Sequence, residues 1–221
     1  MNQPAGILIK TVTSRMFAQN CYVASLPGRA DCVVFDPGLE PGRILSVMRD
    51  AGLEPAAILC THGHADHIAG NAALKKAFPS VPLIIGEGDA EKLIDPQLNL
   101  SAMFSAPLAS PPADRLVREG DTIAAAGMNF LVRETPGHSS GHVVFITQDH
   151  EPCVVFGGDV LFQGSVGRTD FPDGDAEQLY TAIREKLFTL PADTDVYPGH
   201  GEPTTIGEER ETNPYVGRQG L

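Results

Sequence analysis

The chain has 221 residues, 16 Lys and Arg against 28 Asp and Glu, and a formal net charge of −12. That balance argues against nucleic acid as the main partner, since phosphate binding wants a basic surface. No apolar run approaches the roughly 20 residues needed to span a bilayer, so no membrane partner is expected. The opening "MNQPAGILIKTV" lacks a basic lead-in and a cleavage signal, and a cytoplasmic location is expected.

In chain order, "GILIKTVTS", "NCYVAS" and "DCVVFDPG" read as strands, being short β-branched or apolar runs punctuated by turn residues. A helix is predicted over about 42–51, with Ile44, Leu45 and Met48 on one face. "AAILCT" is a buried strand, and a helix pattern runs from Asp66 through Phe78 to stop at Pro79. "VPLIIG" is another strand and "DAEKLID" a helical patch. "APLASPPAD", residues 106–114, is the most linker-like stretch, expected to join two halves of a single domain covering 1–221. Strands recur in "GDTIAAAG", "MNFLVRETPGH", "GHVVFITQ" and "PCVVFGGDV", before a helix over about 175–188 and then "DVYPGHG". The order predicts an α+β fold, with two sheets burying one face on each other and the other under helices.

The stretch "LCTHGHADHIAG" crowds His62, His64, Asp66 and His67 into six residues. Chance yields H-x-H-x-D-H in about one chain in two thousand of this composition. Three later strand ends carry a polar residue beside glycine: His138 in "TPGH", Asp159 in "GGD" and His200 in "PGHG". Five imidazoles and two carboxylates exceed one tetrahedral ion and suit two ions sharing a bridging carboxylate. His62 and His64, two residues apart on an extended strand end, point the same way. With no thiolate recurring among these segments, zinc, iron or manganese suit better than copper(I) or an iron–sulfur cluster. Cys21, Cys32, Cys60 and Cys153 show no C-x-x-C spacing and read as reduced small residues, Cys60 alone lying near the cluster.

"THGHADH", "TPGH", "GGD" and "PGHG", in that order, resemble the metallo-β-lactamase superfamily, whose αββα sandwich carries its metal site at the sheet edges. The resemblance implies His62, His64 and His138 for a first metal, Asp66, His67 and His200 for a second, and Asp159 as the bridge. It also implies a supporting place for Asp36 behind the site. His138 is preferred to His142 as ligand, His142 reading as support, and His150 as a solvated turn residue. "GDVLFQGSVGRTDFPDGD" and "PGHGEPTTIGEERETNP" resemble the short glyoxalase II-like hydrolases. Longer members add a C-terminal helical domain that helps bind glutathione; none is expected here. Arg168 stands where those enzymes have a lysine, and Thr169 and Asp170 where they have an aromatic pair. The acidic "GEERE" reads as a helix face or cap.

What the resemblance implies is hydrolysis of a glutathione-linked thioester, S-D-lactoylglutathione being typical. Two divalent ions, zinc first, would activate water held by Asp66, with Arg168 gripping a substrate carboxylate or else forming a surface salt bridge. The alternative resemblance is to persulfide dioxygenases, through "HADH", "GRTDF", "LFTLP" and the closing "EE…NP". There His62, His138 and Asp159 would hold one iron as a facial triad. A third reading is a metal-binding module without catalysis.

Overall fold

The strands near the middle of the chain are apolar on both faces because both faces are covered. In the computed structural model, which describes residues 6–104 and 106–218, a first sheet runs β1 (Leu8–Thr13), β2 (Asn20–Ser25), β3 (Asp31–Phe35), β4 (Glu54–Cys60), β5 (Leu83–Gly86) and β6 (Arg115–Val117), in that spatial order. β1 to β3 pair antiparallel, and β3 to β6 pair parallel. Val33 and Phe35 of β3 face the second sheet, while Cys32 and Val34 face the helices. A parallel strand buried on both sides therefore reads as a continuous apolar run rather than an alternation.

Helix α1 (Pro41–Asp50) covers this sheet with Ile44 and Met48, four residues apart and each 1% exposed. Its proline sits in the first turn, where the missing N–H costs nothing. The helix expected over Asp66 to Phe78 is instead two: α2 (Ala65–Ile68) and α3 (Asn71–Ala77). At the break the Gly70 amide donates to the Pro37 carbonyl at 2.7 Å, and a Cβ on Gly70 would lie 2.8 Å from that oxygen. Contact with the loop after β3, far away in sequence, overrides the local helix pattern. "DAEKLID" is likewise a 3₁₀ segment, Glu87–Leu93, followed by a second over Ser101–Phe104.

The second sheet contains β7 (Thr122–Ala125), β8 (Met128–Glu134), β9 (Val143–Thr147) and β10 (Val154–Gly158), then the short hairpin β11 (Leu161–Phe162) and β12 (Ser165–Val166) outside it. After α4 (Ala176–Ala182), which passes into a π-turn at Ile183–Leu187, β13 (Asp195–Pro198), β14 (Thr204–Thr205) and α5 (Ile206–Thr212) complete the described chain. The sheet order is β14-β13-β10-β9-β8-β7, with β10 and β13 parallel. Segment 106–114 lies between β5 and β6, inside the first sheet, and the chain crosses to the second at 118–121.

In β8, Met128, Phe130 and Val132 are buried and point into the sandwich, the two-residue period of a strand with one face on the core. Between the sheets Phe35 stacks on Phe156 with centroids 3.7 Å apart and meets Phe130 edge-on at 5.5 Å. Truncating Phe35 to alanine would cost about 3–5 kcal/mol. This aromatic layer fixes the ends of β3 and β10, from which Asp36 and Asp159 emerge. On the outer face of the second sheet Leu179, Ile183 and Leu187 pack with Val144, Val155 and Val196. The result is the α+β, four-layer αββα sandwich.

Candidate metal centre

All seven expected donors gather where strands end. His62 and His64 follow β4, His138 follows β8, Asp159 follows β10 and His200 follows β13, while Asp66 and His67 open from the first turn of α2. Strand ends fix side-chain direction while loops are free to approach one another. Nitrogens of His62, His64 and His138 lie within 4.8 Å of one another, as do donor atoms of Asp66, His67 and His200. Asp159 stands between the groups. One oxygen is 3.4 Å from His67 Nε2, and the other lies 3.5 Å from His138 Nε2 and 3.4 Å from His200 Nε2. Asp66 Oδ2 is 3.3 Å from His200 Nε2 and 3.8 Å from His67 Nε2. Gly199 makes the convergence sterically possible, since a Cβ there would sit 2.1 Å from Asp159 Oδ1 and 2.6 Å from His67 Cε1.

The outward ring nitrogens carry the protons. His67 Nδ1 donates to Asp36 Oδ2 at 3.1 Å, His138 Nδ1 to the Arg168 carbonyl at 2.8 Å, and His200 Nδ1 to the Phe17 carbonyl at 3.0 Å. His62 Nδ1 donates to Thr61 Oγ1 at 3.1 Å, and that hydroxyl donates to Asp36 Oδ2 at 2.7 Å. Each bond fixes a tautomer and leaves a lone pair facing the centre. Asp36 also accepts from the Thr61 amide at 2.7 Å, so both its oxygens are engaged by Thr61 and His67. It does so at φ +46°, a left-handed conformation that aspartate tolerates better than most residues.

Inward, Nε2 of His62 and His67 and Oδ1 of Asp159 are buried with no hydrogen-bond partner in the protein. His64 Nδ1 and His138 Nε2 face each other at 2.9 Å. Orphaned buried acceptors on this scale are costly, and divalent cations are what imidazole and carboxylate lone pairs so arranged would satisfy. The donors present fit such ions.

Electrostatics prepare the two groups differently. Burial and the neighbouring imidazoles hold His62 far below its ordinary range, and burial, His138 and Lys92 push His64 down to about 3. Both are neutral at pH 7, as metal ligation requires. Burial would lower His67 and His200 too, but Asp159 and Asp66 overcome it and raise both. Asp159 and Asp66 are held below the usual carboxylate range, against burial that would raise them, with His67 the largest opposing influence on each.

His142 stands outside the cluster as a support. Its Nε2 accepts from the Asp159 amide at 3.1 Å and its Nδ1 donates to Thr135 Oγ1 at 3.0 Å, leaving no lone pair for an ion. The Arg168 side chain is committed elsewhere. It is 60% exposed, forks onto both Asp170 oxygens at 2.6 and 2.7 Å, and stacks 4.3 Å over the Phe171 ring. Its carbonyl, not its guanidinium, touches the site. Cys60 belongs to the core beneath the helices, where burial raises its thiol. His150 lies half-buried in the bend before β10. "GEERE" lies on α5, and within it Glu209 is 1% exposed and accepts from Thr204 Oγ1, Gly164 N and Asn213 Nδ2.

Sequence reasoning missed Thr61, and it missed Asp89 and Lys92, buried beside His64. It also missed an apolar mouth. Phe17, whose carbonyl binds His200, meets the Phe104 ring at 5.4 Å, and Met16 and Met103 beside them are 76% and 69% exposed. Two bulky apolar pairs in polar loops, "RMFAQ" and "SAMFS", were the available signal.

A family model described as the metallo-beta-lactamase superfamily matches residues 15–200. The chain belongs to the metallo-β-lactamase superfamily. Superfamily members bind metal ions and many are hydrolases, and this chain is a metallo-hydrolase of that kind. It is 37% identical over 211 residues to the hydroxyacylglutathione hydrolase GloC of Haemophilus influenzae, covering 94% of this chain and 97% of that one. The BLEG-1 B3 metallo-beta-lactamase superposes with a TM-score of 0.89 at 36% identity, over 95% of this chain and 99% of that one. TTHA1623, solved in a di-iron-bound form, gives 0.81 at 37% identity, over 94% and 100%. Among the described residues no helix is long and apolar enough to cross a membrane.

Proposed function

We propose that the chain is a binuclear metal-dependent thioesterase acting on S-2-hydroxyacylglutathione, S-D-lactoylglutathione being the type substrate. The observation that carries this reading is the pair of three-donor groups flanking Asp159, with Nε2 of His62 and His67 and Oδ1 of Asp159 buried and without protein partners. His62, His64 and His138 would hold one ion, Asp66, His67 and His200 the other, and Asp159 would serve both. Zinc suits the donors, and iron and manganese suit them as well. The likeness to GloC supports the substrate class.

Bound there, two divalent cations would lower the pKa of water toward neutrality and polarise the thioester carbonyl. The protein's part is to present His62 and His64 as neutral imidazoles, to orient the attacking water through Asp66, and to keep Asp159 ionised. A thiolate leaving group, with a free-thiol pKa around 8.5, departs without a strong general acid. A thioester therefore suits this centre better than an amide.

The test is kcat/KM for S-D-lactoylglutathione, followed by loss of the thioester, on protein purified without added metal. A value above about 10⁴ M⁻¹s⁻¹, the lower end of ordinary enzymes, is expected. A value near zero overturns the substrate assignment.

A second reading, a one-iron dioxygenase acting on glutathione persulfide, draws on the place of His138, whose ring lies 4.9 Å from that of His62 and whose Nε2 lies 3.5 Å from Asp159. The di-iron form of TTHA1623 is consistent with iron in such a centre. It leaves Asp66, His67 and His200 without a task. One iron per chain together with oxygen uptake on glutathione persulfide would favour it.

A further inference from the structure

Asp89, on the 3₁₀ segment Glu87–Leu93, is wholly buried, and its carboxylate accepts from groups on both loops that carry the three histidines. The Gly63 amide, between His62 and His64, donates to Oδ2 at 2.8 Å. Just after His138, Ser139 Oγ donates to Oδ2 at 2.5 Å and the Gly141 amide to Oδ1 at 2.8 Å. Lys92, 6% exposed, places Nζ 2.9 Å from Asp89 Oδ1, against Ser139 Oγ, and 2.5 Å from Asp173 Oδ2. Asp173 in turn accepts from the Ser140 amide at 2.9 Å. It lies two residues beyond Phe171, whose ring is 5.2 Å from that of His64.

The glycines show how closely these segments are pressed together. A Cβ on Gly63 would lie 2.4 Å from Lys92 Cβ, one on Gly88 2.7 Å from Gly141 Cα, and one on Gly141 2.2 Å from the Asp89 nitrogen. Three backbones meet with no room for a side chain. A buried ammonium is expensive unless its partners are well placed, and apolar replacements of such clusters are often as stable. Among the hydrogen bonds these three residues make, none goes to a ring nitrogen of the cradle.

Building on the two-cation reading above, we propose that Asp89, Lys92 and Asp173 are positioning residues that set the spacing of His62, His64 and His138 and so the ion affinity of that half. The other half, Asp66, His67 and His200, receives none of these bonds.

The experiment is a stepwise Co²⁺ titration of metal-free full-length protein, followed by visible absorption with a competing chelator. His64→Ala and His200→Ala first assign each binding step to one half. Asp89→Asn and Lys92→Met are then expected to weaken the step that His64→Ala abolishes by about tenfold to a hundredfold, the usual cost of losing a supporting group. The other step should stay within about twofold, as expected for independent sites. Asp173→Asn, at a part-exposed position, should give a smaller shift of the same step and carries the test if Asp89→Asn does not fold. Equal weakening of both steps, or of neither, overturns the proposal and makes the cluster merely structural. Failure of the two-cation reading looks different: wild-type protein then takes up fewer than two Co²⁺, or both alanine variants remove the same step, and the proposal falls with it.

Discussion

His62, His64 and His138 are 0%, 4% and 2% exposed, and the loops carrying them are tied together from behind by Asp89. Asp66 and His200 keep 21% and 27% of their side chains open to solvent. The outer nitrogen of His200 is held by the carbonyl of Phe17, in the turn between β1 and β2 rather than in a buried network. One half of the centre is therefore deep and cross-braced, while the other lies against the apolar mouth. Depth and bracing limit the reorganisation a bound ion must drive, so the tri-histidine half should hold its ion more tightly. The half at the mouth is the one whose Asp66 and His200 solvent can reach.

The largest effect is expected from His64→Ala. It should abolish turnover and lower metal content, both measurable on one preparation, and full activity would break the assignment of the deep half. His200→Ala should leave about one ion per chain and lower kcat by about 10²-fold, the order seen when one oxyanion-stabilising group is lost. If it removed both ions, the halves would not be separable.

Asp36→Ala sharpens the contrast, because Asp36 serves both sides, His67 directly and His62 through Thr61. Affinity for both ions should fall by about tenfold to a hundredfold, read by chelator competition. Arg168→Met should be mild. With its guanidinium already on Asp170 and largely in solvent, loss of the pair should change stability by no more than about 0.5 kcal/mol. A KM for the glutathione thioester raised more than tenfold would instead show the arginine leaving Asp170 for the substrate.

The smallest effect concerns acid. Burial would raise the Asp173 carboxyl, but the Lys92 ammonium and the Ser140 amide overcome it and hold the group at about 2. A carboxylate depressed in the folded state stabilises above its unfolded pKa of about 3.9 and loses that contribution as pH falls toward the folded value. Asp173→Asn should therefore flatten the fall in thermal stability between about pH 4 and 2, seen by circular dichroism melts. An unchanged acid limb would remove Asp173 from the brace.

Much of the site was legible because its chemistry is local. A strand, a tight turn and a polar donor beside glycine recur four times, and His62, His64, Asp66 and His67 are neighbours in the chain. Choosing His138 over His142 was another matter. Four residues apart, they carry the same side chain, and what separates them is that His142 spends both nitrogens on Thr135 and the Asp159 amide. For Arg168 the sequence leaves both a substrate carboxylate and a surface salt bridge open, because a charged neighbour two residues away does not reveal which rotamer is used; the structure pairs it with Asp170.

The sequence by itself determined the layered α+β architecture and singled out the candidate donors, since strand period and imidazole–carboxylate chemistry act over a few residues. Tertiary structure alone decided where the helix after the cluster breaks, at Gly70 against Pro37, and that Asp89 and Lys92 would brace loops on either side of them. It also decided that Glu209 would be buried rather than solvated. In each case the deciding term is the satisfaction of a buried polar group by a partner from a distant segment, and such pairing leaves no period in the chain.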